Sequence, residues 1–251
     1  MAPFLKTYLW LFGPMLLRYV LIAGAVHGWF WHGPGGRFGT RLARQEPRAE
    51  HLWREARTAL MASVIYALPA AILIHAFLQG GTALTTAAPQ TVLGWLWIPG
   101  AVVFLALVHD AYFYWSHRVM HHPRLYGATH RTHHTSKQPS AFASFAFHPW
   151  EALISSWLIP AVAFVVPMHF GAFVAYVTLA TFSAVMNHAG WEVWPRRFLD
   201  GPIGSWLITA RHHNLHHTKF SRNYGLYFRF WDRVMGTDDM SGDPAGAKVP
   251  T

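Results

Sequence analysis

HDAYFYWSHRVMHHPRLYGATHRTHH, residues 109–134, carries seven of the chain's 18 histidines, and HHNLHH at residues 212–217 adds four more. No cysteine accompanies them, which excludes disulfides, thiolate zinc sites and iron–sulfur clusters. Successive residues of an α-helix turn by about 100°, so His117 and His121 lie within about 40° of each other. Asp110 precedes them by seven and eleven positions, which puts its carboxylate on the same helix face. That phase predicts a hydrogen bond from a ligand imidazole to Asp110. His130, His133 and His134 form an H-x-x-H-H set whose rings are expected to converge, and His213, His216 and His217 repeat the spacing.

The rest of the chain reads as membrane. Hydrophobic residues make up 53% of the 251 and charged residues 12%, about half the charge usual in a soluble domain. A first apolar segment runs from Tyr8 to Phe30 and is too long for the core of a cleaved signal. A connector at residues 33–57 holds Arg37, Arg41, Arg44, Arg48, Arg54 and Arg57 against Glu46, Glu50 and Glu55. The positive-inside rule places it in the cytoplasm. A second span, residues 59–78, leads to the uncharged loop QGGTALTTAAPQT, and a third begins at Val92 and runs into the histidines. After residue 152 about 35 apolar residues surround Pro167, the length of a helical hairpin that dips in and returns. Both histidine clusters and His188, at the end of that hairpin, are thereby expected on one cytoplasmic face.

These readings give an all-α integral membrane protein of about four transmembrane or hairpin helices with a cytoplasmic histidine-rich di-metal site. Residues 1–90 are expected to hold the N-terminal spans, 91–240 the histidine-box domain and 241–251 a disordered tail. The nine candidate ligands are His117, His121, His130, His133, His134, His188, His213, His216 and His217, too many for one ion and suited to two. The net charge of +9 lies in loops between spans and not on one polar face, so nucleic acid is not an expected partner. Zinc-dependent hydrolysis is discounted because Arg118 stands where an H-E-x-x-H motif needs its glutamate. A metal-binding or transport protein without catalysis remains the outside alternative, but transport calls for ionisable groups at mid-span.

At these residues the sequence resembles the fatty acid hydroxylase/sterol desaturase superfamily of membrane di-iron oxygenases. Its boxes H-x3-H, H-x2-H-H and H-x2-H-H are met at 117/121, 130/133/134 and 213/216/217. The flanks HDAYFYWSHR, LYGATHRTHH, AFASFAFHPWEA and HHNLHHTKFSRNYGLYFRFWDRVMGT are similar to the sterol C5-desaturase (lathosterol oxidase) branch. The resemblance runs over residues 95–240, and the first 90 match only as apolar spans. It implies two iron ions (zinc where a host misloads the site), O2 as co-substrate and a lipid or sterol substrate. It also implies an electron donor such as a cytochrome b5-like protein or a ferredoxin. Desaturation is the leading expectation, with hydroxylation of a fatty-acyl, carotenoid or sterol carbon as the alternative. Related hydroxylases carry a further histidine four residues before the one at His188; here that position is Ala184.

Around the ligands, His109, His122, His148 and His212 are candidates to substitute for a ligand or to orient one. Asp232 and Glu151 are equally readable as partners of ligand imidazoles or as ion-pair partners of nearby arginines. Lone histidines in apolar segments, His75 and His169, are read as packed or interfacial. Gly225, in Asn223-Tyr224-Gly225, is expected to permit positive φ in a turn.

Overall fold

Apolar composition and strong helix formers set the architecture of the chain, which a computed structural model describes over residues 2–243. Helix α1 (Ala2–Trp31) passes Pro14 without ending and, at about 1.5 Å per residue, is about 45 Å long. The connector that follows holds strand β1 (Thr40–Arg41). Helix α2 spans Ala49–Leu78, so it starts ten residues before the expected span. AEHLWREARTAL is built of good helix formers, and Pro47 blocks extension further upstream. Arg54, Glu55 and Arg57 thus belong to the first turns of α2, not to a loop.

After strand β2 (Leu84–Thr85), Thr91 caps helix α3 (Val92–Met120) by accepting from the Gly94 amide at 3.1 Å. Helix α3 carries His117 and ends with His121 as its C-cap. Two short helices, α4 (Pro123–Thr129) and α5 (Arg131–His134), hold the second box. The expected hairpin is asymmetric. Its first arm is two short pieces, α6 (Pro149–Ser156) and α7 (Leu158–Val165), that meet at Trp157. After strand β3 (Met168–His169), its second arm, α8 (Phe170–His188), is long enough to cross a membrane. Strand β4 (Trp191–Glu192), α9 (Arg196–Leu199), α10 (Ala210–Lys219) and α11 (Phe230–Val234) complete the fold.

Two small sheets mark opposite ends of the helices. At the end remote from the histidines, β2 pairs parallel with β3, and Trp97 Nε1 donates to the Pro167 carbonyl at 2.8 Å. The hairpin turn therefore sits beside the uncharged α2–α3 loop. At the histidine end, β1 pairs antiparallel with β4, matching Thr40 with Glu192 and Arg41 with Trp191. The arginine-bearing connector is thus fastened to the chain just beyond His188.

Among the described residues, the helices long and apolar enough to span a membrane are α1, α2, α3 and α8. One apolar core, with Leu73, Leu105, Ile159, Phe173 and Tyr176, lies between α2, α3, α7 and α8. A second joins α1 to α2 and α8 through Tyr19, Ala23, Ala59 and Val185. Ala23 and Ala59 are wholly buried, small residues that let two helix backbones approach closely. Leu9, Trp10, Leu93, Leu96, Val103 and Leu107 point outward, an apolar girdle far larger than a water-facing surface tolerates. Of the tail expected from residue 241, residues 241–243 are tied back, with Lys219 Nζ to Ser241 Oγ at 2.9 Å and Arg211 to Asp243 at 3.0 Å. Residues 244–251 lie outside the described residues.

Overpacking the α1–α2 contact should cost about 1–3 kcal/mol. Ala23→Leu is expected to lower the melting temperature of the detergent-solubilised protein, whereas exposed Leu9→Ala leaves it unchanged.

Candidate metal centre

Nine imidazoles from α3, α5, α8 and α10 meet at one end of the helices, in two groups. His117, His121, His130, His134 and His216 form the first; His133, His188, His213 and His217 form the second. Each H-x-x-H-H box is divided between them, contrary to the expectation that its three rings converge. Adjacent residues on a helix point about 100° apart, so His133 faces one group and His134 the other. His216 and His217 part in the same way.

Within each group the Nε2 atoms crowd together. In the first, His117 and His130 are 2.9 Å apart, His134 and His216 3.0 Å, and His134 and His121 3.2 Å. In the second, His188 lies 2.9 Å from His213 and 3.2 Å from His133, and His213 lies 3.1 Å from His217. Tautomers decide what these contacts mean. A carbonyl oxygen only accepts, so Nδ1 must donate in His117 to Tyr224 at 2.8 Å, His216 to Arg222 at 2.7 Å and His188 to Ala184 at 2.7 Å. His130 Nδ1 pairs with Glu151 Oε1 at 2.7 Å and donates when Glu151 is a carboxylate. A neutral ring with its proton on Nδ1 presents a bare lone pair at Nε2, and with Glu151 ionised His117 and His130 point two such lone pairs at each other.

A cation relieves that repulsion, and the donor set fits one. Metal–imidazole bonds of about 2.0–2.1 Å set ligand nitrogens about 2.9–3.4 Å apart at the edges of an octahedron or tetrahedron. Burial pushes the His121 pKa down to about 4. Burial first, and then the neighbouring rings, drive His130, His213 and His217 well below the usual imidazole range. Neutral imidazole is the form that ligates, and it suits iron, zinc, copper and nickel.

An aromatic wall surrounds the nitrogens. Phe113 lies 4.9 Å from His117, Phe220 4.8 Å from His134, Phe147 5.3 Å from His133 and Tyr224 5.2 Å from His121, centroid to centroid. Such a shell limits water and lowers the local dielectric. Behind the second box, buried Glu55 of α2 accepts from Ser136 Oγ at 2.6 Å and from Ser140 Oγ. This joint pins the loop after His134 and borders a cavity of about 440 Å³ lined by Arg54, Arg131 and Thr132. In sequence Glu55 had looked like one acid among connector arginines, and no local pattern marked it.

The surrounding candidates are placed differently from one another. Asp110 does not meet a ligand ring; its Oδ1 accepts from the amides of Tyr227 at 2.7 Å and Phe228 at 3.1 Å. His109 Nδ1 lies 2.7 Å from the Tyr176 hydroxyl. His122 and His148 are helix caps, accepting at 3.3 Å from the amides of Arg124 and Trp150. His212 is buried, with Nε2 3.4 Å from Asp238. Asp232 accepts from the amides of Tyr224 at 2.8 Å and Gly225 at 2.9 Å, and so fixes the carbonyl that orients His117. Glu151 is the acid that reaches a ligand directly. Positive φ falls at Asn223 (61°), not at Gly225. Gly225 is needed for space instead, since a Cβ there would meet the Phe228 carbonyl at 2.8 Å.

The fold and site together define a mostly helical membrane protein built around paired histidine clusters. The chain belongs to the fatty acid hydroxylase family, whose model matches residues 102–237, more than half of its length. It is 35% identical to rat (Rattus norvegicus) lathosterol oxidase over 144 residues, covering 57% of this chain and 46% of that one. Against Delta(7)-sterol 5(6)-desaturase ERG3B of Gibberella zeae it is 29% identical over 147 residues, 57% of this chain and 43% of the other. Methylsterol monooxygenase erg25A of Aspergillus fumigatus matches at 29% over 198 residues, 76% of this chain and 63% of that one. The chain spans about half the length of the first two relatives. No solved structure matches.

If Glu151 orients His130, Glu151→Ala should weaken metal retention by about 10–100-fold while Asp110→Asn leaves it near the parent value. Metal content after dialysis against a graded chelator series reads both.

Proposed function

We propose that this protein is a membrane di-iron oxidoreductase that uses O2 to desaturate a lipid, a sterol in the manner of a C5-desaturase. The observation that carries the reading is the division of nine convergent imidazoles into groups of five and four, two ligand sets with room for a small co-substrate. Two iron ions held there would supply the oxygen chemistry that removes hydrogen from an unactivated C–H bond. The chain's own residues do the rest. Backbone carbonyls and Glu151 hold the rings in the ligating tautomer. Phe113, Phe147 and Phe220 keep water from the nitrogens, and the helices around them position an apolar substrate.

The relatives named for sterol oxidation support the substrate class. A second reading, hydroxylation of a lipid carbon, draws support from the methylsterol monooxygenase likeness, which extends over 76% of this chain. Non-catalytic transport fits less well, because the histidines gather at helix ends and not along a path through the spans. The arginine-rich connector shares the histidine face, and the loop at the other face carries no charge. The positive-inside rule therefore favours a cytoplasmic metal centre, open to an electron donor such as a cytochrome b5-like protein or a ferredoxin.

Expression in a sterol-supplemented host under isotopically labelled oxygen tests the reading by mass spectrometry. Loss of two hydrogens without label marks desaturation, and gain of one labelled oxygen marks hydroxylation. Absence of any oxygen-dependent product from metal-loaded protein would remove both. His117→Ala and His216→Ala are expected to abolish activity and strip metal. His75→Ala, beside Thr7 and Gln79 at the far end of α2, should do neither.

A further inference from the structure

A third group of ligating side chains lies outside the two histidine clusters, where α1 meets the arginine-rich connector. His27, His32 and Glu46 each place a ligand atom within 4.8 Å of the other two. His32 Nε2 and Glu46 Oε1 are already 3.4 Å apart, and the rings of His27 and His32 are 5.6 Å apart. His27 is 9% exposed, and its Nδ1 is buried without a hydrogen-bond partner among the described residues. A buried imidazole nitrogen in that state costs stability unless something binds it. The indole nitrogens of Trp31 and Trp191, in the same corner, are likewise buried and unpartnered among the described residues, so a bound water could also be held there.

Two more features favour a cation. Helix α1 is 30 residues long and has no basic side chain of its own in its last turn, so the negative end of its dipole favours a cation near His27 and His32. The backbone before Glu46 is fixed, because Gln138 Nε2 donates to the Gln45 carbonyl at 2.6 Å and Gln138 Oε1 accepts from the Arg44 amide at 2.9 Å. Arg41 of the same connector stacks over Trp31 and donates to the carbonyls of Ala43 and Arg44. Glu46 faces the two histidines.

We propose that His27, His32 and Glu46 bind a borderline divalent cation of the Zn2+ class that fastens the connector to the end of α1. Two imidazoles and one carboxylate are a common ligand set for such an ion, with water in the fourth position. His32 and Glu46 are exposed, with 64% and 49% of their side-chain surface free, so they can close on the ion without moving the fold. The site would brace β1 against β4, and through β4 the chain just beyond His188.

The test counts metal and does not depend on which reaction the histidine clusters support. Full-length protein isolated with those clusters loaded is dialysed to equilibrium against Zn2+, and metals per chain are then measured. One additional zinc per chain is expected, lost in both His32→Ala and Glu46→Gln, with the ions of the histidine clusters unchanged. Because both side chains are exposed, neither variant should disturb folding, and a matching rise in melting temperature with Zn2+ should vanish with the ion. No additional zinc, or an additional zinc retained in either variant, overturns the proposal.

Discussion

The arrangement of the whole molecule answers to one electrostatic constraint: bare imidazole lone pairs must be held about 3 Å apart. His117 and His130 do this with Nδ1 of one donating to a backbone carbonyl and Nδ1 of the other to the Glu151 carboxylate, once that acid is ionised. Without a cation between them such contacts repel, so the surrounding structure has to hold the rings in place before any ion arrives. It does so from several directions. Asp232 sets the Tyr224 carbonyl, Glu55 fixes the loop after the second box, and α6 delivers Glu151. The membrane helices bring these pieces to one end of the fold, and the hairpin returns His188 to that end.

Much of this was legible in the sequence because histidine spacing is a local property. The three boxes, the apolar spans and the return of the hairpin are written in short windows, and all nine expected ligands meet in the structure. What spacing could not show is how a box is shared. His133 and His134 are neighbours in sequence yet serve different groups, since a helix turns by about 100° between them. A reading that treats each box as one three-ring unit therefore misses the division.

The acids show a different limit. Helix phase put Asp110 on the ligand face of α3, and the phase is sound. But seven residues along a helix is about 10 Å of axial rise, so Asp110 lies well below His117 and meets the loop at Tyr227 and Phe228 instead. Glu151 reaches His130 from another helix, twenty-one residues away, and no periodicity encodes that. Glu55 is more remote still: its role depends on α2 starting ten residues earlier than hydropathy suggests, which turns a loop acid into a buried anchor. In each case the missing information is a tertiary distance and not a residue type.

That distinction bears on how chemistry could vary on this scaffold. If the two groups hold metal as proposed, coordination fixes the spacing of the boxes, which could not drift without losing an ion. The groups behind them are constrained only through hydrogen bonds, and they come from three separate parts of the chain: α2, α6 and the loop at residues 223–232. A substitution there would reorient a ring, and weaken its hold on an ion, while keeping all nine histidines. On the proposed function the outcome at a lipid carbon turns on placement to within about 1 Å, so desaturation and hydroxylation could share one set of histidines. The residues that separate the two outcomes should then be sought among Glu151, the Tyr224 loop and the aromatic wall, before the boxes themselves.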